Sequence, residues 1–265
     1  MNLLVLSDLH FNGHLFHDRY FPTEWRNILL QQIPSLPEMD LVVIAGDVVE
    51  NTVMDIADRN PLETLYHIFQ CDVAFCLGNH EFANRKHADV LEYWKQWKHP
   101  HVHCLDVEGS YIKGNYNIVG NVLWYDWSLN ENSLVMKGEI HPGWLDATIK
   151  EFNPLLEHEK CKQQIYDNLT YEDGKMNILL SHMVPHRDLN AFSYDQPYSP
   201  FNAYSGVKNF IQELLDRNVK LEYAICGHTH RRAMKEISGV YCINLGNDYY
   251  FKTKKVEHMV LKDEP

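Results

Sequence analysis

Five short apolar runs in this chain each end in polar residues that could bind metal ions or move protons. The polar clusters are Ser7-Asp8-Leu9-His10, Gly46-Asp47, Gly78-Asn79-His80-Glu81, Ser181-His182 and Gly227-His228-Thr229-His230. Each run is short enough to be a buried strand, and the carboxyl ends of strands in an open α/β sheet border one crevice. The sequence therefore predicts that seven donors can meet there, namely Asp8, His10, Asp47, Asn79, His182, His228 and His230. Oxygen and nitrogen donors in this number suit two metal ions that share one carboxylate.

Each cluster also has a purely structural interpretation when it is taken alone. Asp8 and His10 could form a capped turn with a surface histidine, and Gly78-Asn79 is a common way to begin a helix. In extended backbone, the i, i+2 spacing of Asp8 and His10 would point both side chains to one side. A buried Asp47 would need cationic partners. Because all five clusters follow predicted strands, the joint metal interpretation is favoured over five unrelated turns.

The composition narrows the choice of partner and location. The 265-residue chain carries 24 Lys and Arg against 36 Asp and Glu, for a formal net charge of -12. An acidic protein binds nucleic acid and anionic membranes poorly, so nucleic acid is a possible but disfavoured partner. The six cysteines form no Cys-x-x-Cys pair, and no apolar run is long enough for a membrane span or a signal core. We therefore expect reduced thiols, no membrane partner and a cytoplasmic protein.

The hydrophobic periodicity predicts an α/β fold in a single domain over residues 1–265. Strands are predicted over 3–6, 41–45, 73–77, 102–105, 111–112, 116–119, 176–180, 221–226, 240–244 and 256–261, and helices over 23–33, 61–69, 84–98, 155–169 and 203–217. The βαβαβα opening implies a mostly parallel sheet. The short strands between 102 and 119 are separated by glycines and indicate hairpins. We expect two packed β-sheets with helices on both outer faces.

The five polar clusters also resemble, in type, order and spacing, the motifs of the calcineurin-like metallophosphoesterases. The resemblance runs from Asp8 to about Asn247 and implies a double β-sheet sandwich with outer helices, in four α/β/β/α layers. It implies that one metal ion is bound by Asp8, His10, Asp47 and His230, and a second by Asp47, Asn79, His182 and His228. His80 matches the active-site histidine beside the leaving group, and Glu50 is a carboxylate that could orient it.

One motif departs from that of the protein Ser/Thr phosphatases in this family. Those enzymes carry Gly-Asp-x-x-Asp-Arg-Gly, whereas this chain has Gly46-Asp47-Val48-Val49-Glu50-Asn51-Thr52 and lacks the phosphate-binding arginine. A protein phosphatase of that subclass is therefore disfavoured. Four other arginines are candidates for the missing cation, namely Arg19, Arg85, Arg187 and Arg231.

The predicted chemistry is hydrolysis of phosphate mono- or diesters by a metal-bound hydroxide. A water between two divalent or mixed-valence ions loses a proton near neutral pH, and His80 can protonate the leaving oxygen. Mn, Fe, Zn, Ni and Mg are the candidate ions, with Mn favoured. A nuclease acting on DNA or RNA is the alternative enzyme, and a non-catalytic metal-bound scaffolding module is the alternative of another class. The loop 183–203, rich in Pro, Phe and Tyr, is predicted to govern substrate choice.

Overall fold

Two β-sheets pack against each other in the computed structural model of the protein, which describes residues 1–10, 36–49, 61–130, 135–190, 200–246 and 257–261. The first sheet has the order β11-β1-β2-β3-β4 and consists of β1 (Asn2–Leu6), β2 (Leu41–Ala45), β3 (Asp72–Cys76), β4 (Val102–Cys104) and β11 (Glu257–Val260). The second has the order β5-β6-β7-β8-β10-β9 and consists of β5 (Ser110–Lys113), β6 (Tyr116–Asn121), β7 (Met176–Ser181), β8 (Leu221–Cys226), β9 (Ala233–Ile237) and β10 (Val240–Asn244).

The central strands of both sheets are parallel, as their unbroken apolar sequences predict. Every residue of β2 is buried, which is typical of a parallel strand covered on both faces. Leu3 pairs with Leu41, and Leu41 pairs with Asp72, so β1, β2 and β3 end at one edge of the first sheet. In the second sheet β6, β7, β8 and β10 are parallel to one another, while β5 and β9 are antiparallel to their neighbours. The polar clusters therefore follow parallel strands at their carboxyl ends.

The α-helices of the described residues are 4 to 15 residues long, and several begin or end inside the predicted ranges. They are α1 (Pro61–Phe69), α2 (Asn79–Phe82), α3 (His87–Gln96), α4 (Leu105–Glu108), α5 (Pro154–Asn168) and α6 (Phe210–Leu215). The predicted helix 203–217 is reduced to α6 because Gly206 forms a bridge with Val184, and the next N–H donates to the carbonyl of Val184. The predicted helix 23–33 lies outside the described residues. None of the described helices combines the length and apolar character that crossing a membrane requires.

Three apolar clusters show that helices cover the outer face of each sheet, which confirms the predicted four-layer α/β/β/α class. One cluster joins Trp94 of α3 to Phe75 of β3, and another joins Phe210 of α6 to Leu179 of β7. The third lies between the sheets and contains alternate residues of both, such as Val43 of β2. Because side chains alternate across a strand, one apolar run contributes to an outer and to the inner cluster.

The predicted hairpins between residues 102 and 119 are right for one strand pair and wrong for another. β5 and β6 form an antiparallel hairpin in which Lys113 lies opposite Tyr116. β4 instead pairs in parallel with β3, and the chain then passes through α4 to reach the second sheet. Strands of three and four residues are too short for periodicity to show which partner they choose. β9, which pairs with β10 at the edge of the second sheet, was not predicted.

Candidate metal centre

All seven predicted donors lie among the described residues, and the fold brings them together from five strand ends. Asp8 and His10 come after β1, Asp47 after β2, Asn79 after β3, His182 after β7, and His228 and His230 after β8. Six of them are buried, and His230 is partly buried. Such a concentration of buried titratable groups is costly unless their charges are compensated.

The first group of donors consists of Asp8, His10, Asp47 and His230, which each place one ligating atom within 4.8 Å of the others. Nε2 of His10 lies 3.7 Å from Asp47 Oδ2, and Nε2 of His230 lies 3.9 Å from Asp8 Oδ1. The rings of His10 and His230 stack with centroids 5.3 Å apart. Two carboxylates and two imidazoles in this arrangement can surround one divalent ion.

The second group of donors surrounds Nε2 of His182. This atom lies 3.1 Å from Asn79 Oδ1, 3.2 Å from His228 Nδ1 and 3.3 Å from Asp47 Oδ2. Donors about 2.1 Å from one ion are roughly 3.0 to 3.4 Å from their neighbours in octahedral or tetrahedral geometry. The spacing of the second group therefore fits coordination of an ion with little rearrangement.

A backbone contact determines which nitrogen of His182 can bind a cation. Nδ1 lies 2.9 Å from the carbonyl oxygen of Ala45, and because a carbonyl only accepts, Nδ1 carries the hydrogen. In the neutral ring, Nε2 then presents a lone pair toward the oxygens of Asn79 and Asp47. Acceptors that face one another at this distance repel unless a proton or a metal ion lies between them.

Asp47 lies between the two groups. Its Oδ1 accepts the backbone N–H of His80 at 3.0 Å, whereas Oδ2 faces His10 and His182 at 3.7 and 3.3 Å. Oδ2 is buried and has no hydrogen-bond partner among the described residues. Burial opposes ionisation, but the imidazoles of His182, His80 and His10 outweigh it and hold the pKa of Asp47 well below its usual range. A charged oxygen that faces donors of both groups fits a carboxylate shared by two cations.

The pKa values of the two imidazoles in the second group shift in opposite directions. Burial lowers the pKa of His182, but the carboxylates of Asp47 and Asp8 outweigh burial and raise that pKa to about 10. Burial and the neighbouring His182 together hold the pKa of His228 well below its usual range. His228 is therefore neutral, as a ligand must be. Without metal, a proton on His182 balances the carboxylates that a divalent ion would otherwise balance.

Left-handed backbone positions most of the donors, so the predicted extended geometry of Asp8 and His10 is wrong. Their φ angles are 51° and 45°, that of Asp47 is 52°, and those of His228 and His230 are 70° and 53°. This region costs a non-glycine residue roughly 1 to 3 kcal/mol and persists only where the surroundings enforce it. The N–H of Asp8 donates to the carbonyl preceding Asp47 at 3.1 Å, and that of His10 donates to the carbonyl of Asp47 at 2.9 Å. These bonds hold the first two donor loops together.

Two glycines are required because donor side chains approach the backbone closely. A Cβ atom on Gly46, where φ is 77°, would lie 2.6 Å from Cγ of His182. A Cβ atom on Gly78 would lie 2.7 Å from Cγ of Asp47 and closer still to its Oδ1. Neither contact is sterically possible, so any side chain here would displace a donor.

His80 lies beside the donors, with Nε2 at 3.9 Å from Asp47 Oδ2. Its ring packs edge-on against the ring of His10, with centroids 4.5 Å apart. Asn79 and His80 begin helix α2, and do not form the extended turn that the sequence analysis assumed. Successive positions of a helix also point in different directions, so the two side chains still diverge.

Some predicted site residues are exposed or lie outside the described residues. Arg85, Arg187 and Arg231 are exposed, whereas Arg19 and Glu50 lie outside the described residues. In the loop 183–203, residues 191–199 also lie outside them.

The carboxyl end of the loop 183–203 reaches an aromatic cluster next to the second donor group. Phe201 stacks on Trp144 with ring centroids 5.0 Å apart, and Trp144 lies 6.0 Å from the ring of His228. Both Phe201 and Trp144 are partly exposed. An aromatic surface therefore stands beside the donors and remains accessible to a ligand.

Two buried carboxylates support the donors in ways that the sequence analysis did not identify. Glu81 accepts the N–H groups of Val49 at 2.9 Å and Gly78 at 2.7 Å, which ties together the loops after β2 and β3. Burial and the charge of Asp47 raise the pKa of Glu81 to about 8. Glu81 thus links the loops that carry Asp47 and Asn79.

The second supporting carboxylate is Asp146, in the 3-10 helix Leu145–Thr148. Its Oδ1 accepts Nδ2 of Asn79 at 2.8 Å, and its Oδ2 accepts Nε1 of Trp144 at 3.0 Å. Burial raises the pKa of Asp146 to about 6, against the effect of hydrogen bonds from Asn79 and Trp144. No motif marks Asp146, because it is 67 positions from Asn79 in an irregular segment.

Comparison with known proteins agrees with this architecture. The family model for calcineurin-like phosphoesterases matches residues 1–232. A phosphopantetheinyl hydrolase from Mycobacterium tuberculosis is similar in structure, with a TM-score of 0.60 and 16% identity over 92% of this chain and 88% of that chain. A dimetal phosphatase from Danio rerio has a TM-score of 0.52 and 18% identity over 92% of this chain and 86% of the other. No curated protein sequence matches this chain.

At these sequence identities the similarity to solved structures shows only the fold. The match to the family model is the basis for assigning the family. Because that match covers most of the chain, the protein belongs to the calcineurin-like phosphoesterases and is a metal-dependent phosphoester hydrolase.

Proposed function

We propose that the protein hydrolyses phosphate mono- or diesters at a dinuclear metal centre built from the two donor groups. The first ion would be held by Asp8, His10, Asp47 and His230, and the second by Asp47, Asn79, His182 and His228. The other three donor atoms of the second group lie 3.1 to 3.3 Å from Nε2 of His182, which supports the assignment of this group to one ion. The wider first group supports a site that tightens when an ion binds.

One observation carries the proposal of two ions. Oδ2 of Asp47 faces a nitrogen of each group, at 3.7 Å from His10 Nε2 and 3.3 Å from His182 Nε2, and it is buried without a hydrogen-bond partner among the described residues. A single ion bound to this oxygen would need donors on only one side of it. The donors on both sides are best explained by a shared carboxylate.

The donor types favour manganese among the candidate ions. The proposed set contains carboxylate, amide and imidazole donors and no thiolate, and carboxylate and carbonyl oxygens suit Mn and Mg whereas imidazole suits Fe, Ni and Zn. We propose Mn because Asp8, Asp47 and Asn79 supply oxygen donors to both proposed sites. When bound, the two ions would supply Lewis acidity to a water nucleophile and to the phosphate oxygens.

His80 is proposed to donate a proton to the leaving oxygen of the substrate. Its backbone N–H is anchored on Asp47 Oδ1 at 3.0 Å, so the ring is held next to the shared carboxylate. General acid catalysis of this kind contributes roughly 100- to 10,000-fold to the rate. We propose that Glu50 orients the His80 ring.

The loop 183–203 is proposed to select the substrate, within one catalytic domain over residues 1–265. Phe201 and Trp144 form a partly exposed aromatic surface near His228, and such a surface suits a planar leaving group. Shortening the loop should change the relative activity among substrates more than it changes metal binding. An equal loss on every substrate, with metal retained, would count against a specificity role.

The proposal is tested by loading metal-depleted protein with Mn, Ni, Mg, Zn or Fe and measuring turnover. The substrates are p-nitrophenyl phosphate, its bis ester and phenylphosphonate ester, cyclic nucleotides and single-stranded DNA. We expect two ions per chain and Mn-dependent turnover of at least one small ester. Cleavage confined to DNA would replace the proposal with a nuclease. Two bound ions without turnover on any substrate would point to a non-catalytic role.

A further inference from the structure

We propose that Asp146 is a positioning residue that fixes the amide of Asn79 with its oxygen toward the second ion. The inference rests on the proposed dinuclear centre. It concerns a side chain outside the predicted donor set, on a segment far from Asn79 in sequence. If it is right, Asp146 controls binding of one ion and not of the other.

An amide side chain can present either its oxygen or its NH2 group to a neighbouring ion. Only the oxygen of Asn79 can bind a cation, and its NH2 group would repel one. A rotation of half a turn exchanges the two groups at little steric cost. Asp146 removes the ambiguity, because its Oδ1 only accepts and lies 2.8 Å from Nδ2 of Asn79. Asn79 Oδ1 is then left 3.1 Å from Nε2 of His182, on the side of the donors.

Asp146 is itself held in place by a donor that cannot reverse its role. The indole N–H of Trp144 donates to Oδ2 of Asp146 at 3.0 Å, and an indole nitrogen has no lone pair to accept with. Asp146 is the buried member of the 3-10 helix Leu145–Thr148, with no exposed surface. A carboxylate so enclosed keeps one orientation, and it imposes that orientation on Asn79.

The conservative substitution D146N should reverse the amide of Asn79. The new amide must offer its oxygen to Trp144, because the indole only donates, and its NH2 group then faces Asn79. Asn79 satisfies that NH2 group by turning its own oxygen away from the second ion. Residues that orient metal ligands typically change affinity by about 10- to 100-fold. We expect D146N to weaken the second ion at least tenfold and to leave the first unchanged.

A second variant background, N79D, distinguishes a role of Asp146 in orienting residue 79 from a purely structural role. In N79D the side chain offers two equivalent oxygens, so no orientation has to be enforced, although the carboxylates at positions 79 and 146 must then share a proton across the 2.8 Å contact. D146N should therefore cost little affinity in the N79D background, although it costs at least tenfold in the wild type. A residue that merely anchored its segment would cost the same in both backgrounds.

A third variant tests the role of the indole. In W144F/D146N the donor that dictates the orientation is gone, and the new amide can offer its oxygen to Asn79. This variant should recover part of the second-ion affinity. It also keeps the inference testable if D146N alone does not fold without metal.

The experiment measures Mn binding to the metal-depleted full chain by isothermal titration calorimetry, with the melting temperature of each metal-free variant as the check on folding. The expected result is two ions in the wild type, selective weakening of one in D146N, and no such loss between N79D and N79D/D146N. Equal losses in both backgrounds, or wild-type affinity in D146N, would overturn the inference while the dinuclear centre stands. A wild type that binds only one ion would refute the dinuclear centre itself.

Discussion

Substituting Gly78 by alanine tests whether one shared carboxylate organises both proposed ion sites. Gly78 has φ of -116° and ψ of -178°, an extended conformation that alanine adopts without strain. The added Cβ would lie 2.5 Å from the backbone nitrogen of Asp47 and 2.7 Å from its Cγ. Carbon atoms pack at about 3.5 to 4.0 Å, so the side chain of Asp47 must move by roughly 1 Å. The three atoms nearest to the added Cβ all belong to Asp47, so the closest contacts of this substitution fall on that residue.

The size of the effect follows from the position of that carboxylate. Oδ2 of Asp47 lies 3.3 Å from Nε2 of His182 and 3.7 Å from Nε2 of His10, so a shift disturbs both donor groups. Misplacement by about 1 Å can lower a rate about 100-fold, and overpacking typically costs about 1 to 3 kcal/mol. We expect G78A to bind both ions more weakly and to lose at least about 100-fold in kcat/KM. The metal-free free energy of unfolding should fall by no more than about 3 kcal/mol.

A matched glycine provides the control. Gly239, in the turn between β9 and β10, has φ of 85°, and a Cβ there would meet nothing within 4 Å. G239A should lower the free energy of unfolding by roughly 1 to 2 kcal/mol through backbone strain, but keep two ions and wild-type kcat/KM. The measurements are metal content, urea unfolding of metal-free protein and steady-state kinetics. Two ions and full activity in G78A, or equal losses of activity in both variants, would refute the reasoning.

Three further predictions address individual side chains. H80N should keep both ions. It should lose more kcat/KM on alkyl phosphates than on p-nitrophenyl esters, because only poor leaving groups need a proton. An equal drop on both substrates, or loss of an ion, would contradict the proposed role of His80. D47N should lower the occupancy of both ions, and H10A should lower mainly that of one. The control D72N, at the amino end of β3, should change neither. Metal analysis that shows the same losses in D47N and H10A would rule out a shared Asp47. Burial lowers the pKa of His87 to about 4, so stability is full above its unfolded pKa of about 6.5 and falls by up to about 3 kcal/mol as the pH drops toward 4. Urea unfolding across this range should show that loss in the wild type and less of it in H87Q, and identical pH dependence would contradict it.

The sequence by itself was sufficient to predict the fold class, because its signal is local. Runs such as Leu41–Ala45 are short, rich in β-branched residues and apolar without alternation, which is typical of a strand covered on both faces. The donors could be predicted as a set for the same reason. Each lies within a few residues of a strand end, and parallel strands end at a common edge. The proposed roles of these donors remain predictions that the metal-binding measurements will test.

Tertiary structure decided the features that depend on contacts between distant residues. The partner of β4 is set by pairing with β3 and not by its own three residues. The left-handed backbone at Asp8 and Asp47 exists because hydrogen bonds between their two loops enforce it. The carboxylate of Asp146 reaches Asn79 across 67 positions, and no spacing rule connects them. Periodicity and turn chemistry act over a few residues, whereas orientation of a buried donor depends on every group packed around it, and only the folded chain assembles those groups.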